Sequence, residues 1–104
     1  MSEYTSIREH VLSLLAEHMQ EIRARFGIDT LQLFGSVSRG EDTPLSDIDL
    51  LYTFQPGALS LEHVAGLEDY LENLFERKVD LVSLKWINPY FRDTVLREAI
   101  SVRI

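Results

Sequence analysis

The run from Asp47 to Tyr52, Asp-Ile-Asp-Leu-Leu-Tyr, constrains the fold more than any other segment of the chain. Side chains alternate across a strand, so Ile48, Leu50 and Tyr52 share one face while Asp47, Asp49 and Leu51 share the other. The first face needs a core. The second sets two carboxylates side by side at a strand start, where they repel unless a cation lies between them. A strand over residues 47–53 therefore asks for a sheet packed on one side and acidic at one end of the other.

The flanking segments can supply the packing. Ile7, Val11, Leu14, Leu15, His18, Ile22 and Phe26 recur at three- and four-residue spacings, which predicts an amphipathic helix. Ser6 with Glu9 reads as its capping box and Gly27 as its C-terminal stop. A first strand is expected over residues 29–34, and Gly35 and Gly40 bracket a short turn or single helical turn. Pro56-Gly57 is a loop, and Ser60 opens a second long helix with the stripe Leu61, Val64, Leu67, Leu71, Leu74 and Phe75. Residues 78–84 predict a third strand. Asn88-Pro89 is an N-cap followed by proline at the first helical position, and the last helix carries Val95, Leu96, Ala99 and Ile100. This alternation is an α/β pattern: a small three-stranded mixed sheet flanked by about four helices, its edges covered by a helix or by another chain. With 104 residues, 45% of them hydrophobic, the chain is expected to form a single domain over 1–104.

Composition narrows the chemistry. There is no cysteine, which excludes disulfides, thiolate zinc sites and a cysteine nucleophile. Acidic residues outnumber basic ones 17 to 10, for a net charge of −7, so direct gripping of a nucleic-acid backbone is not expected. A basic protein surface or a divalent cation suits the charge better. The apolar runs near the N-terminus are too short for a leader or a membrane span, which places the protein in the cytoplasm by expectation.

Asp80 lies in the apolar run Val79-Asp80-Leu81-Val82, where a lone charge is costly. If the second and third strands are neighbours, Asp80 joins Asp47 and Asp49 around one or two Mg²⁺ ions, which prefer hard carboxylate, water and phosphate oxygens. Upstream, Gly35-Ser36 between a strand and a helical turn lets an anion approach backbone N–H groups. Ser36 adds a hydroxyl, and Arg39 adds a cation one turn later. The spacing is neither a Walker A loop nor a dinucleotide fingerprint. Taken singly, each feature has an ordinary reading: a solvated strand end for the aspartates, a turn glycine with a capping serine for Gly35-Ser36. Together, Gly35-Ser36, ten residues, then Asp47-x-Asp49 form a fixed pattern that arises by chance in about one chain in a thousand of this length, which outweighs those readings.

The pattern resembles the GS-x(10)-D-x-D signature of the DNA polymerase beta-type nucleotidyltransferases, and nearly the whole chain is similar to the minimal nucleotidyltransferases of that superfamily. The resemblance implies their fold and a set of roles. Asp47 and Asp49 match the paired metal-binding aspartates, and Asp80 the third carboxylate, together holding two Mg²⁺ ions. Gly35 and Ser36 match the residues that hold the terminal phosphates of the nucleotide, and Arg39 matches an arginine frequent after that pair. The activity implied is transfer of AMP from ATP to a hydroxyl, Asp80 being the candidate general base. The partner implied is a small helical RNase toxin of the HEPN class, neutralised on a tyrosine, with this chain as antitoxin. An antitoxin that masks its toxin by contact alone, and a metal-binding domain without transfer activity, stay open beside it, as do hetero-oligomer and homodimer.

Other residues attract plainer readings. His10, His18 and His63 lack ligand partners nearby in sequence, and His18 falls on the apolar stripe as a core or interface residue. Trp86, Tyr90 and Phe91 follow the third strand, where packing at a helix start is preferred over base stacking. Glu41 and Asp42 read as a solvated loop.

Overall fold

The structure, a computed structural model, describes residues 3–103. Helix α1 spans Arg8–Phe26, strand β1 Ile28–Phe34, the single turn α2 Gly35–Ser38, and strand β2 Ile48–Phe54. Helix α3 (Leu61–Phe75), strand β3 (Val79–Ser83), helix α4 (Pro89–Glu98) and the two-residue strand β4 (Ile100–Ser101) complete the chain. The sheet order is β3-β2-β1-β4, mixed in direction. β1 pairs antiparallel with both β2 and β4, whereas β2 and β3 run parallel, joined through α3 as a parallel pair requires.

The helices start and stop where the local chemistry directs. Gly27 adopts the left-handed conformation (φ 67°) that ends α1, and its N–H reaches the Arg23 carbonyl. Ser60 caps α3 by accepting the Glu62 and His63 amides, and the Asn88 side chain accepts the Tyr90 amide ahead of Pro89. One core is shared by Val11, Leu15, Met19, Ile22 and Phe26 of α1, Leu67 and Leu71 of α3, and Leu31, Leu33, Ile48, Leu50 and Val79 of the sheet. The alternation read along β2 holds: Ile48 and Leu50 are fully buried and Tyr52 packs against the core from its edge. Among the described residues no helix is long and apolar enough to cross a membrane.

The sheet has four strands, where three were expected. Ile100 leaves the last helix, which ends at Glu98, and pairs with Leu33; Ser101 pairs with Gln32. Two residues are too few to show alternation, and Ile100 also fits the helical spacing of Val95, Leu96 and Ala99. The tie is broken by the open edge of β1, whose unpaired backbone groups the chain end satisfies. The capping box at Ser6 is not formed either. Ser6 Oγ accepts only the Arg8 amide at 3.2 Å, and Glu9 turns to Arg8. The aromatic residues expected to pack at the start of α4 are on the surface: Trp86 is 71%, Tyr90 84% and Phe91 55% exposed. Tyr90 and Phe91 meet edge to face at 5.1 Å, and α4 as a whole buries no residue.

Candidate active site

Two strand pairings assemble the site. The antiparallel register sets Phe34, the last residue of β1, beside Asp49, so the chain leaves β1 at Gly35 directly over that carboxylate. The parallel register sets Asp80 beside Asp49 from the other side. Asp49 is thus the hinge of the constellation, with Gly35 on one flank and Asp80 on the other. Gly35 has φ +77°, and a Cβ built there would fall 2.2 Å from Asp49 Oδ2. The position therefore requires glycine twice over, for its backbone and for the approach of Asp49.

The electrostatics follow from this crowding. The Asp49 carboxyl is pushed up to about 6, first by burial and then by the neighbouring charges of Asp80 and Asp47, with Arg39 pulling weakly the other way. Asp47 lies just before β2, half exposed, with Oδ2 3.9 Å from Lys78 Nζ. Asp49 and Asp80 are paired by the strand register, whereas Asp47 stands ahead of the strand beside Lys78. Among the described residues no three Asp, Glu, His or Cys side chains stand close enough to cage a metal ion. The donor set is all oxygen and carries an excess of negative charge, which is the chemistry a hard divalent cation relieves.

Ser36 is half-buried in the first turn of α2. The turn is closed by Ser38, whose hydroxyl donates to the Gly35 carbonyl at 2.7 Å. Arg39 is exposed and held by two carboxylates, Glu41 through Nε at 2.6 Å and Glu98 through Nη1 at 2.7 Å. Glu98 also accepts the Gly35 amide at 3.0 Å. None of the three histidines enters the site; His18 Nδ1 contacts the Leu14 carbonyl and His63 Nδ1 the Ala58 carbonyl.

The segment between α2 and β2 is anchored by residues that sequence reasoning passed over. Asp42, expected in a solvated loop, is 7% exposed. It accepts the Tyr4 hydroxyl at 2.6 Å, the Ser6 hydroxyl and the Ile7 amide at 3.1 Å, so it caps the start of α1 across more than thirty residues of chain. Arg77 donates to the Thr43 carbonyl at 3.1 Å and the Tyr4 hydroxyl at 3.3 Å, fixing the turn that delivers Asp47. Burial pushes the Asp42 carboxyl up, but the Ser6 and Tyr4 hydroxyls and the Ile7 amide outweigh it and leave the group below its ordinary value. A depressed carboxyl stabilises the fold above the unfolded-state value and loses that contribution as pH falls through the folded one. Asp42→Ala is expected to cost about 2–3 kcal/mol in urea denaturation at pH 7, for three hydrogen bonds lost around a buried position. The gap from the parent should narrow below pH 4. A variant as stable as the parent at pH 7 would show that the anchor is not structural.

Comparison with known proteins shows the family and the fold. The nucleotidyltransferase domain family matches residues 15–102. Over 94 residues the chain is 39% identical to the protein adenylyltransferase MntA of Thermococcus cleftensis, covering 90% of this chain and 94% of that protein. A solved minimal nucleotidyltransferase aligns with TM-score 0.74 and 41% identity over 88% of this chain and 92% of the other. The complex of a tri-AMPylated Shewanella oneidensis HEPN toxin with an MNT antitoxin contains the same fold, at TM-score 0.61 and 19% identity over 88% of this chain and 71% of that one.

Proposed function

The chain belongs to the nucleotidyltransferase domain family, and on that premise we propose that it transfers AMP from ATP to a tyrosine hydroxyl of a cognate HEPN RNase toxin, acting in the cytoplasm as the antitoxin of the pair. The observation that carries this reading is Asp49 wedged between Gly35 and Asp80: one pairing joins the phosphate-binding turn to the acidic strand, and the other adds the third carboxylate. Named relatives supply the reaction class. The Thermococcus protein is an adenylyltransferase for proteins, and the Shewanella complex holds an AMPylated HEPN toxin.

Asp47, Asp49 and Asp80 would hold one Mg²⁺ ion, the three carboxylates having to close up on it, and Asp47 with Asp49 would hold a second. Bound there, the ions supply charge neutralisation of the triphosphate and a lowered pKa for the acceptor hydroxyl. Asp80, the carboxylate on the outer strand, accepts the proton of the attacking tyrosine. Ser36, the amides of α2 and Arg39 hold the phosphates that leave as pyrophosphate. A charge of −7 steers the chain toward a basic partner. An RNase, which must hold phosphates, presents such a surface. Exposed Trp86, Tyr90 and Phe91 offer the apolar anchor that steering alone lacks. The same aromatic surface serves an antitoxin that works by masking alone, which is the second reading.

Two measurements test the proposal. Mg²⁺ with a non-hydrolysable ATP analogue, at about a hundred times its dissociation constant, should stabilise the protein by roughly 2.7 kcal/mol. An unmoved melting temperature with millimolar concentrations of both would count against a nucleotide site. In the second, ATP labelled at its α-phosphate is incubated with this protein, Mg²⁺ and the cognate helical protein. Label on the partner, lost on adding a chelator, is the expected result; a stable complex without label favours masking.

A further inference from the structure

Glu98, the last residue of α4, lays its carboxylate across the two donors that the proposed reaction assigns to phosphate. Oε1 accepts the Gly35 N–H at 3.0 Å and Oε2 accepts from Arg39 Nη1 at 2.7 Å. A backbone amide has one hydrogen, so a Gly35 N–H bonded to Glu98 is not available to a phosphate oxygen. Arg39 is partly engaged, with Nη1 on Glu98 and Nε on Glu41 at 2.6 Å. Two carboxylates on one guanidinium, near Asp49, leave the site with negative charge where a triphosphate would bind.

Resting on the nucleotidyl-transfer reading, we infer that Glu98 is an internal stand-in for a nucleotide phosphate: it closes the cradle of the free protein, and nucleotide binds by displacing it. The movement asked for is small. The Glu98 side chain is already 25% exposed and α4 buries no residue, so the carboxylate can swing into solvent without opening the core. Glu98 then sets the affinity for the phosphate chain and not for the base.

Calorimetric titration of the parent and Glu98→Gln with Mg²⁺·ATP, inorganic tripolyphosphate and adenosine tests this. Glutamine keeps the length of the side chain but removes its charge, and its single amide oxygen can accept from the Gly35 N–H or from Arg39 but not from both. The variant should bind ATP and tripolyphosphate about tenfold more tightly, with adenosine unchanged. A damaged fold would weaken binding, so tightening cannot come from lost structure. Equal or weaker binding of ATP and tripolyphosphate by the variant overturns the inference and makes Glu98 a positioning residue for Arg39, with the transfer reading intact. If neither protein binds any of the three, the transfer reading itself fails and the inference falls with it.

Discussion

Asp49→Asn is expected to abolish AMP transfer and, in metal-free buffer near pH 8, to raise the melting temperature of the protein. Both effects come from the same crowding. In the folded chain the Asp49 carboxyl titrates at about 6, pushed up by burial and by Asp80 and Asp47, against about 3.9 for an ordinary aspartate. A raised carboxyl binds its proton more tightly in the folded state than in the unfolded one. Its contribution is therefore fully present below pH 4 and is lost as pH rises through 6. The displacement corresponds to ~3 kcal/mol at full strength; solvent reaching the half-exposed site trims it to about 1–2 kcal/mol. Asparagine keeps the shape and removes the charge. Scanning calorimetry should find the variant more stable than the parent at pH 8 and equal to it at pH 4. With Mg²⁺ and nucleotide the order should reverse, since the parent alone gains from binding. A variant that unfolds at both pH values would make Asp49 a structural residue.

Gly35→Ala is expected to be the most damaging single change to a backbone position. Alanine at φ +77° stores roughly 1–2 kcal/mol of strain. Its Cβ would lie 2.2 Å from Asp49 Oδ2, and the carboxylate must move to admit it. A shift of about 1 Å at a reacting centre costs on the order of a hundredfold in rate. Gly40→Ala is the matched control. Gly40 also has positive φ, at +71°, but nothing lies within 4 Å of the added methyl. It should carry the backbone penalty while keeping transfer within a few-fold of the parent. Equal loss of activity in both variants would show that strain in the turn, and not displacement of Asp49, is the cause.

These two residues also show what the sequence makes legible. The acidic face of β2 and the core face of Ile48 and Leu50 follow from alternation alone, and Gly35 from its place between strand and turn. The convergence of Asp49 and Asp80 needed only the guess that β2 and β3 are neighbours, which their parallel register bears out. What was hidden is what depends on distant chain. Asp42 looks like any acidic loop residue until Tyr4, Ser6 and Ile7 close on it. Glu98 lies 63 residues from Gly35 and 59 from Arg39, on a helix whose own periodicity says nothing of the phosphate turn. β4 is too short to announce itself. Trp86, Tyr90 and Phe91 resemble core residues by type, but Trp86 lies in the turn before α4, and Tyr90 and Phe91 sit on a helix with no buried residue.

The most direct measurement is the intact mass of the cognate helical protein recovered from cells that co-express it with this chain. The account predicts that the partner alone arrests growth, that this chain relieves the arrest, and that the relieved partner carries one or more added AMP groups on tyrosine. With Asp49→Asn in place of the parent, the added mass should vanish and the arrest return. Relief of growth by Asp49→Asn, with an unmodified partner in both cases, would contradict the enzymatic account and leave neutralisation by contact alone.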